Sequence, residues 1–378
     1  MGYSESELTV TAEDQKVLDI CFQMLADTKT ELSRAILGQD DMLEHVIMTI
    51  MAGGHSLLVG RPGSGKTVLA SSVGRVFGLE ENRVQCTPDL MPADILGSEV
   101  MEEDENGKRS FRFIKGPIFC NMFLADELNR ASPRTQAAFL QAMQEGKVTA
   151  GGQEHRLPKP FHVIATQNPI EQVGTNQLPE AQKDRFLIEY LLQDVDREAE
   201  GLIGFKTTTT QHGLSTILGA VAGNGERLDP PENLVTNAKD LRQVFNADQL
   251  IGVQHLVRRL PIGDKVYNSV LDIVRGANPD FKRDIDSNNL ADIFNYVGHH
   301  VKHGPGTRAV QSLFLMTRAR ALLRGDLAPN TEDVAMLAAP VLRHRIKANY
   351  SAGAELGVRN DGQAVEKIIE RLVSDFVP

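Results

Sequence analysis

The chain is short of cysteine, of positive charge and of long apolar runs, and each shortage removes a class of protein. Three cysteines, Cys21, Cys86 and Cys120, lie scattered in apolar surroundings. An odd, sparse set suits buried thiols in a reducing compartment, the cytoplasm, and not a disulfide framework. The formal net charge is −10, whereas a dedicated nucleic-acid binder usually carries a basic excess. No apolar run approaches the ~20 residues of a membrane helix. Residues 1–30 lack a basic region followed by an apolar one, so no signal peptide is expected. Met1-Gly2-Tyr3-Ser4-Glu5-Ser6 fits a loose myristoylation template, but Glu5 and Glu7 carry the wrong charge for a membrane partner. What is present is a globular composition, 41% hydrophobic and 24% charged, over 378 residues. That length suffices for two or three domains with real cores.

The most informative segment is Gly60-Arg61-Pro62-Gly63-Ser64-Gly65-Lys66-Thr67, directly after the apolar run Leu57-Leu58-Val59 and before a helix-like stretch. In such a loop the glycines let backbone N–H groups point inward at phosphate oxygens, and the helix adds its positive N-terminal end. Lys66 then reaches the β- and γ-phosphates and the Thr67 hydroxyl ligates Mg²⁺. The pattern points to a bound nucleoside triphosphate.

Around it, short apolar runs alternate with helices. Ser56–Val59, Arg83–Cys86, Asn121–Ala125, Phe161–Thr166 and Phe186–Leu191 read as buried strands, which implies a parallel sheet covered on both faces. Lys66–Phe77 and Arg134–Glu145 read as helices, the second with Ser132 as cap, Pro133 in its first turn and Gly146 beyond its end. Asn106-Gly107 and Gly151-Gly152 mark two hairpins, which serve either as working surfaces or as decorative ribbons. Two apolar-periodic stretches precede the core, the second through Leu32, Ile36 and Leu37. The expected division is an N-terminal helical segment over 1–37 and an α/β core over 38–195, with hairpins near 98–118 and 147–157. An irregular connection over 196–235 and an all-α domain over 236–378 complete it. Helices are expected over Leu241–Leu260, Tyr267–Arg275, Leu290–Val301, Ala309–Leu323 and Thr331–Ala338.

A phosphate loop needs a carboxylate partner, and Asp126-Glu127 follow the Asn121–Ala125 run at the end where ligands bind in open α/β sheets. Asp126 suits coordination of Mg²⁺, directly or through a metal-bound water, and Glu127 suits polarising a water for attack on the γ-phosphate. Gln167-Asn168-Pro169 ends the next strand, where an amide can orient that water, sense the γ-phosphate or simply form a turn. Arg185 stands at the start of the last strand and Arg308, in Gly304-Pro305-Gly306-Thr307-Arg308, opens a helix. Either could stabilise charge in a phosphoryl-transfer transition state. Either equally suits a structural ion pair.

These residues sit in stretches that resemble the MoxR-type AAA+ ATPases: Thr87-Pro88-Asp89-Leu90-Met91-Pro92-Ala93-Asp94-Ile95-Leu96-Gly97, Leu124 to Ala131, Gln141 to Glu145, Ala165 to Gln172, Leu178 to Phe186 and Pro340 to Arg345. The resemblance implies a three-layer α/β/α P-loop core with a five-stranded parallel sheet, hairpin inserts of the helix-2-insert clade, and an all-α lid. It implies that ATP is held by Gly60, Pro62, Gly63, Ser64, Gly65, Lys66, Thr67, Val68 and Gln39, and Mg²⁺ by Thr67 and Asp126. Lys66 and Thr67 become the Walker A binders, Asp126 and Glu127 the Walker B pair, Asn168 sensor 1, Arg185 the arginine finger and Arg308 the sensor 2 arginine. Family members often carry Ala where this chain has Gly65, which is nearer the general P-loop pattern. The expected protein is a homo-oligomeric ring, usually a hexamer, in which γ-phosphate loss moves core against lid. It would remodel protein clients, with a von Willebrand factor A domain protein as partner and with neither membrane nor nucleic acid involved. A chelatase-like or translocase motor of the same clade, and a slow nucleotide-switched scaffold, are the alternatives.

Three further signals are weaker. His299, His300 and His303 lack the cysteine or carboxylate company of a metal site. Arg318, Arg320, Arg324, Arg343 and Arg345 form the only basic concentration and suggest subunit or nucleotide-edge contacts. Glu102 to Glu105 reads as a solvated hairpin flank or as a docking surface for a basic partner.

Overall fold

The computed structural model describes residues 12–61, 65–103, 109–150, 152–169, 176–208, 238–280 and 291–377. The chain opens with α1 (Ala12–Ala35) and α2 (Asp40–Ala52), so the two apolar-periodic stretches expected before the core belong largely to one 24-residue helix. The α/β core then runs β1 (Ser56–Val59), α3 (Lys66–Val76), β2 (Glu81–Gln85), α4 (Pro92–Leu96), β3 (Gly97–Glu103), β4 (Arg109–Lys115) and β5 (Met122–Asp126). It continues through α5 (Pro133–Glu145), β6 (Lys147–Ala150), β7 (Gln153–Arg156), β8 (His162–Gln167), α6 (Glu180–Lys183) and β9 (Ile188–Leu191).

Five of these strands form a parallel sheet in the order β2-β5-β8-β1-β9. Chain order reverses beside β1, so the loop after β1 opens at the sheet's switch point, where ligands of such sheets bind. Period-two alternation divides the apolar residues between two layers. Leu58, Met122, Leu124, Ile164 and Ile188 face α1, α2 and α3, whereas Leu57, Phe123, Ala125, Val163 and Ala165 face α5. β2 departs from expectation. It begins two residues earlier than the apolar run and alternates exposed with half-buried residues, because it is an edge strand. α5 is fixed by signals legible in sequence: the Ser132 hydroxyl accepts from the Thr135 N–H at 3.3 Å, and Gly146 closes the helix at φ 63°.

Both hairpins form antiparallel ribbons, β3 with β4 and β6 with β7. Asn106-Gly107 and Gly151 lie outside the described residues. The ribbons lean on each other through Phe113, whose ring stacks on His155 at 4.1 Å between centroids.

Residues 197–208, placed by sequence in an irregular connection, form helix α7 (Arg197–Thr208), while 209–237 are outside the described residues. The lid consists of α8 (Ala247–Arg259), α9 (Asp264–Gly276), α10 (Ala291–His300), β10 (Val301–His303), α11 (Thr307–Arg324), α12 (Thr331–Leu342), β11 (Lys347–Ala348), α13 (Ala352–Glu355) and α14 (Asp361–Phe376). A short β10–β11 ribbon is its one non-helical pairing among the described residues. Three lid helices carry Asn caps, at Asn246, Asn330 and Asn360. Asp333, fully buried, closes the Asn330 capping box and also binds Arg320 and Arg324.

Lid and core share one hydrophobic interior. α2 is buried from Met42 to Ala52 except at Glu44, and its cluster continues without a break into Leu313, Met316, Val334 and Leu337 of the lid. A polar joint reinforces it. Gln254 of α8 donates one N–H to the Ile50 carbonyl and the other to His162 Nε2, each at 3.0 Å. His162 Nδ1–H then donates to the Gly54 carbonyl at 3.0 Å, which fixes a neutral tautomer. Beside it, His55 Nδ1 accepts from the Val163 N–H at 3.1 Å.

Candidate functional site

The loop after β1 is held by the neighbouring strand ends. The Gly60 N–H donates to the Gln167 carbonyl at 3.1 Å, and a Cβ at Gly60 would lie 2.5 Å from Leu192 Cβ, so only glycine allows this approach. Pro62, Gly63 and Ser64 lie outside the described residues. Gly65 caps α3 at φ 76°, a left-handed conformation that side chains resist. Lys66 and Thr67 are therefore the first two residues of α3, where unpaired N–H groups and the positive helix end favour an anion. Lys66 Nζ donates to the Gly60 carbonyl at 2.5 Å. Burial lowers the lysine's pKa while the charges of Asp126 and Glu127 push it back up. The amine and both carboxylates are thus in electrostatic reach of one another. Val68, 43% exposed, presents apolar surface beside them.

Asp126 ends β5 and Glu127 follows in a single strained residue. Its φ of 53° and ψ of 48° make it the sole non-glycine at positive φ among the described residues. Such a conformation costs about 1 kcal/mol and persists where surroundings impose it. Here they do. The Thr166 hydroxyl donates to Asp126 Oδ1 at 2.6 Å and accepts from the Glu127 N–H at 2.9 Å. Glu127 Oε2 receives Gln85 Nε2 and Arg130 Nη1, both at 2.9 Å. Arg83 Nη2 pairs with Asp126 Oδ2 at 2.6 Å. Arg83, Gln85, Arg130 and Thr166 were not foreseen. Arg83 and Gln85 alternate on β2 and reach the acids through a register, Gln85 opposite Asp126, that no local pattern announces.

Asn168 follows β8 one residue past Gln167, which stands opposite Val59, so it borders the same crevice. Gln39 precedes α2, and its Oε1 is buried with no hydrogen-bond partner. The segment after β9 places it near the phosphate loop. Asp194 lies 3.7 Å from Arg61, and Ala199 and Val195 abut Gly38. An enclosed acceptor awaiting a donor, a desolvated amine and two adjacent carboxylates together fit a nucleotide with its metal. Thr67 and Asp126 are the residues present that suit the metal.

The two remaining candidates do not join this group. Leu187 N–H donates to the His55 carbonyl at 2.8 Å, and Ile188 stands opposite Ser56. Arg185 is therefore at the amino end of the strands, roughly 10 Å of β1 away from the phosphate loop at ~3.3 Å per residue. Its Nε is buried without a partner. Arg308 is also at this edge, 3.3 Å from Asp184, which holds Arg345 at 2.8 Å as well. The basic concentration is paired within the chain: Arg320 and Arg324 bind Asp333, Arg343 pairs with Glu366 and Arg345 with Asp184. Among the described residues no histidine, cysteine or acidic cluster suits a metal, and His300 faces Glu355 at 3.3 Å. Glu102 and Glu103 pair across the hairpin with Arg112 and Arg109.

Comparison with known proteins adds the family context. Residues 55–188 match the model of the ATPase family associated with various cellular activities (AAA), and 296–368 match the AAA lid domain. Chaperone MoxR1 of Mycobacterium tuberculosis is 32% identical over 86% of this chain and 76% of its own length. Protein MoxR of Paracoccus denitrificans is 29% identical over 85% and 87%. A crystal structure of a candidate ATPase from Cytophaga hutchinsonii superposes with a TM-score of 0.77 at 27% identity, covering 96% of this chain and 98% of that one.

Proposed function

The chain belongs to the MoxR family of AAA+ ATPases, and on that premise we propose that it hydrolyses ATP in a ring of identical subunits, each site completed by a neighbour. In this reading Lys66 and the N–H groups at the start of α3 hold the β- and γ-phosphates. Thr67 and Asp126 hold Mg²⁺, which when bound neutralises charge on the transferred phosphoryl group. Glu127 accepts a proton from the attacking water and Asn168 orients that water. Gln39 receives a donor from the base, and Val68 lies against its ring.

One observation carries the shared site: Arg185, with a buried and unpaired Nε, lies at the edge of the sheet opposite Lys66 and Glu127. It cannot reach its own phosphates across the length of β1, whereas it can face those of an adjoining copy. Arg308 accompanies it and acts in trans as well. Arg185→Ala is expected to keep ATP binding and lose roughly 10³-fold or more in turnover, the scale of a missing arginine finger. Full turnover by Arg185→Ala, or by an isolated monomer, overturns the shared site.

The ring is proposed to be a hexamer that remodels protein clients with a von Willebrand factor A domain protein as partner. Two things support a protein client: the relative's name, Chaperone MoxR1, and the apolar side chains the first hairpin leaves in solvent. Phe111 is 73% and Met101 52% exposed, opposite each other on one face of the ribbon. Isolating proteins that co-purify with Glu127→Gln, but not with Lys66→Ala, tests this part.

A further inference from the structure

We infer that Arg258, on the first long helix of the lid, is a third cation that reaches the neighbouring subunit's triphosphate alongside Arg185 and Arg308. The inference rests on the shared-site reading above and extends it to a residue of α8.

A cavity opens at the amino edge of the sheet between core and lid, and its walls include Arg185, Arg258, Arg308 and Arg345. Asp184 is the one acidic residue lining it. That carboxylate is already engaged, by Arg345 at 2.8 Å and Arg308 at 3.3 Å. Arg345 is further saturated by the carbonyls of Phe186 and Val341 and by the Ser312 hydroxyl. Arg345 is therefore a strut. Arg185 and Arg258 have no ion pair among the described residues, and His55 on the same wall is kept neutral by burial. Four guanidiniums on one concave wall with a single carboxylate between them leave positive charge uncompensated, a place for an anion from outside. Arg258 is shaped for it. Its guanidinium lies over Gly53, where a Cβ would come within 3.2 Å of Nη2, so a bare backbone leaves the fork room against the cavity wall. Because Arg258 rides on the lid and Arg185 on the core, a triphosphate gripped by both ties the two together from outside the chain.

The alternative role for Arg258 is local. It lies in the last turn of α8 with Arg259, where any cation complements the helix dipole. That role predicts a change in Tm and none in kcat. Ours predicts that Arg258→Ala lowers kcat roughly 10²-fold, the effect of removing one preorganised donor. KM is barely changed, and Arg258→Lys, which keeps charge but loses the fork, falls between.

The decisive experiment mixes subunits. Lys66→Ala abolishes a subunit's own site but leaves its arginines intact, so adding it to Arg258→Ala should restore turnover at sites facing the Lys66→Ala neighbour. Arg185→Ala with Lys66→Ala is the parallel mixture. Recovery in both supports the inference. Recovery with Arg185→Ala alone overturns it and leaves the shared site standing. Recovery in neither overturns the shared site itself. Unchanged kcat in Arg258→Ala also overturns it, and if that variant does not fold, Arg258→Lys and Arg258→Gln are scored by the same mixtures.

Discussion

Acid should loosen the joint between core and lid, and the size of the effect can be worked from two histidines. His162 is 1% exposed, and burial drives its pKa down to about 4; His55 is driven to about 3 by burial and by His162 beside it. In the fold each is neutral and uses one ring nitrogen as acceptor, from Gln254 and from Val163. Protonation would set donor against donor at both contacts. A folded pKa below the unfolded value of about 6.5 means that the unfolded chain takes up the proton first. The stabilisation is therefore complete above pH 6.5 and is lost as pH falls toward the folded pKa. From pH 6.5 down to about pH 5, at about 1.4 kcal/mol per pH unit, His162 alone removes about 2 kcal/mol. His55 adds less than its pKa suggests, because it is only half-buried and lines the cavity, so solvent screens its charge. Together they should remove about 3 kcal/mol, a large part of the 5–15 kcal/mol of a typical domain. Urea unfolding at about pH 7.5 and pH 5, for the native protein and for His162→Gln, reads this directly. The variant starts from lower stability but should lose about 2 kcal/mol less across the interval. Equal losses in the two proteins refute the reasoning.

Glu127→Gln keeps the shape of the acid and removes its basicity. It should bind ATP in filter binding yet hydrolyse it at least ~10²-fold more slowly, and undiminished turnover would exclude Glu127 as the base. Asp333→Ala leaves Arg320 and Arg324 without their buried carboxylate and uncaps α12. Unfolding free energy should fall by about 3–5 kcal/mol, and a loss below about 1 kcal/mol would show that the arginines find other partners.

The site was legible where chemistry is contiguous in the chain. Gly60 to Thr67, and Asp126 with Glu127, each sit at the end of one strand, so a local pattern places them. Arg83 and Gln85 were not legible, because their meaning comes from lying opposite Asp126 on another strand. Arg308 was placed by resemblance among the nucleotide contacts; its edge of the sheet followed only from the pairing with Asp184. In the fold, β2 was misread as buried because apolar content does not reveal an edge. α7 was missed because Gly201, Gly204 and Thr207 blur its periodicity. Helix α14, with Ala364, Ile368 and Leu372 fully buried at helical spacing, fell within the all-α expectation without being singled out.

The unbroken interior that α2 shares with sheet and lid has a mechanical corollary. A lid swinging outward would strip water-excluded contacts from the apolar face of α2 between Met42 and Ala52, so the expected motion of core against lid has to work against this shared interior. In a ring of the proposed kind, compliance would then sit at the contacts between copies, and strain raised at one contact would pass through the subunit to the next.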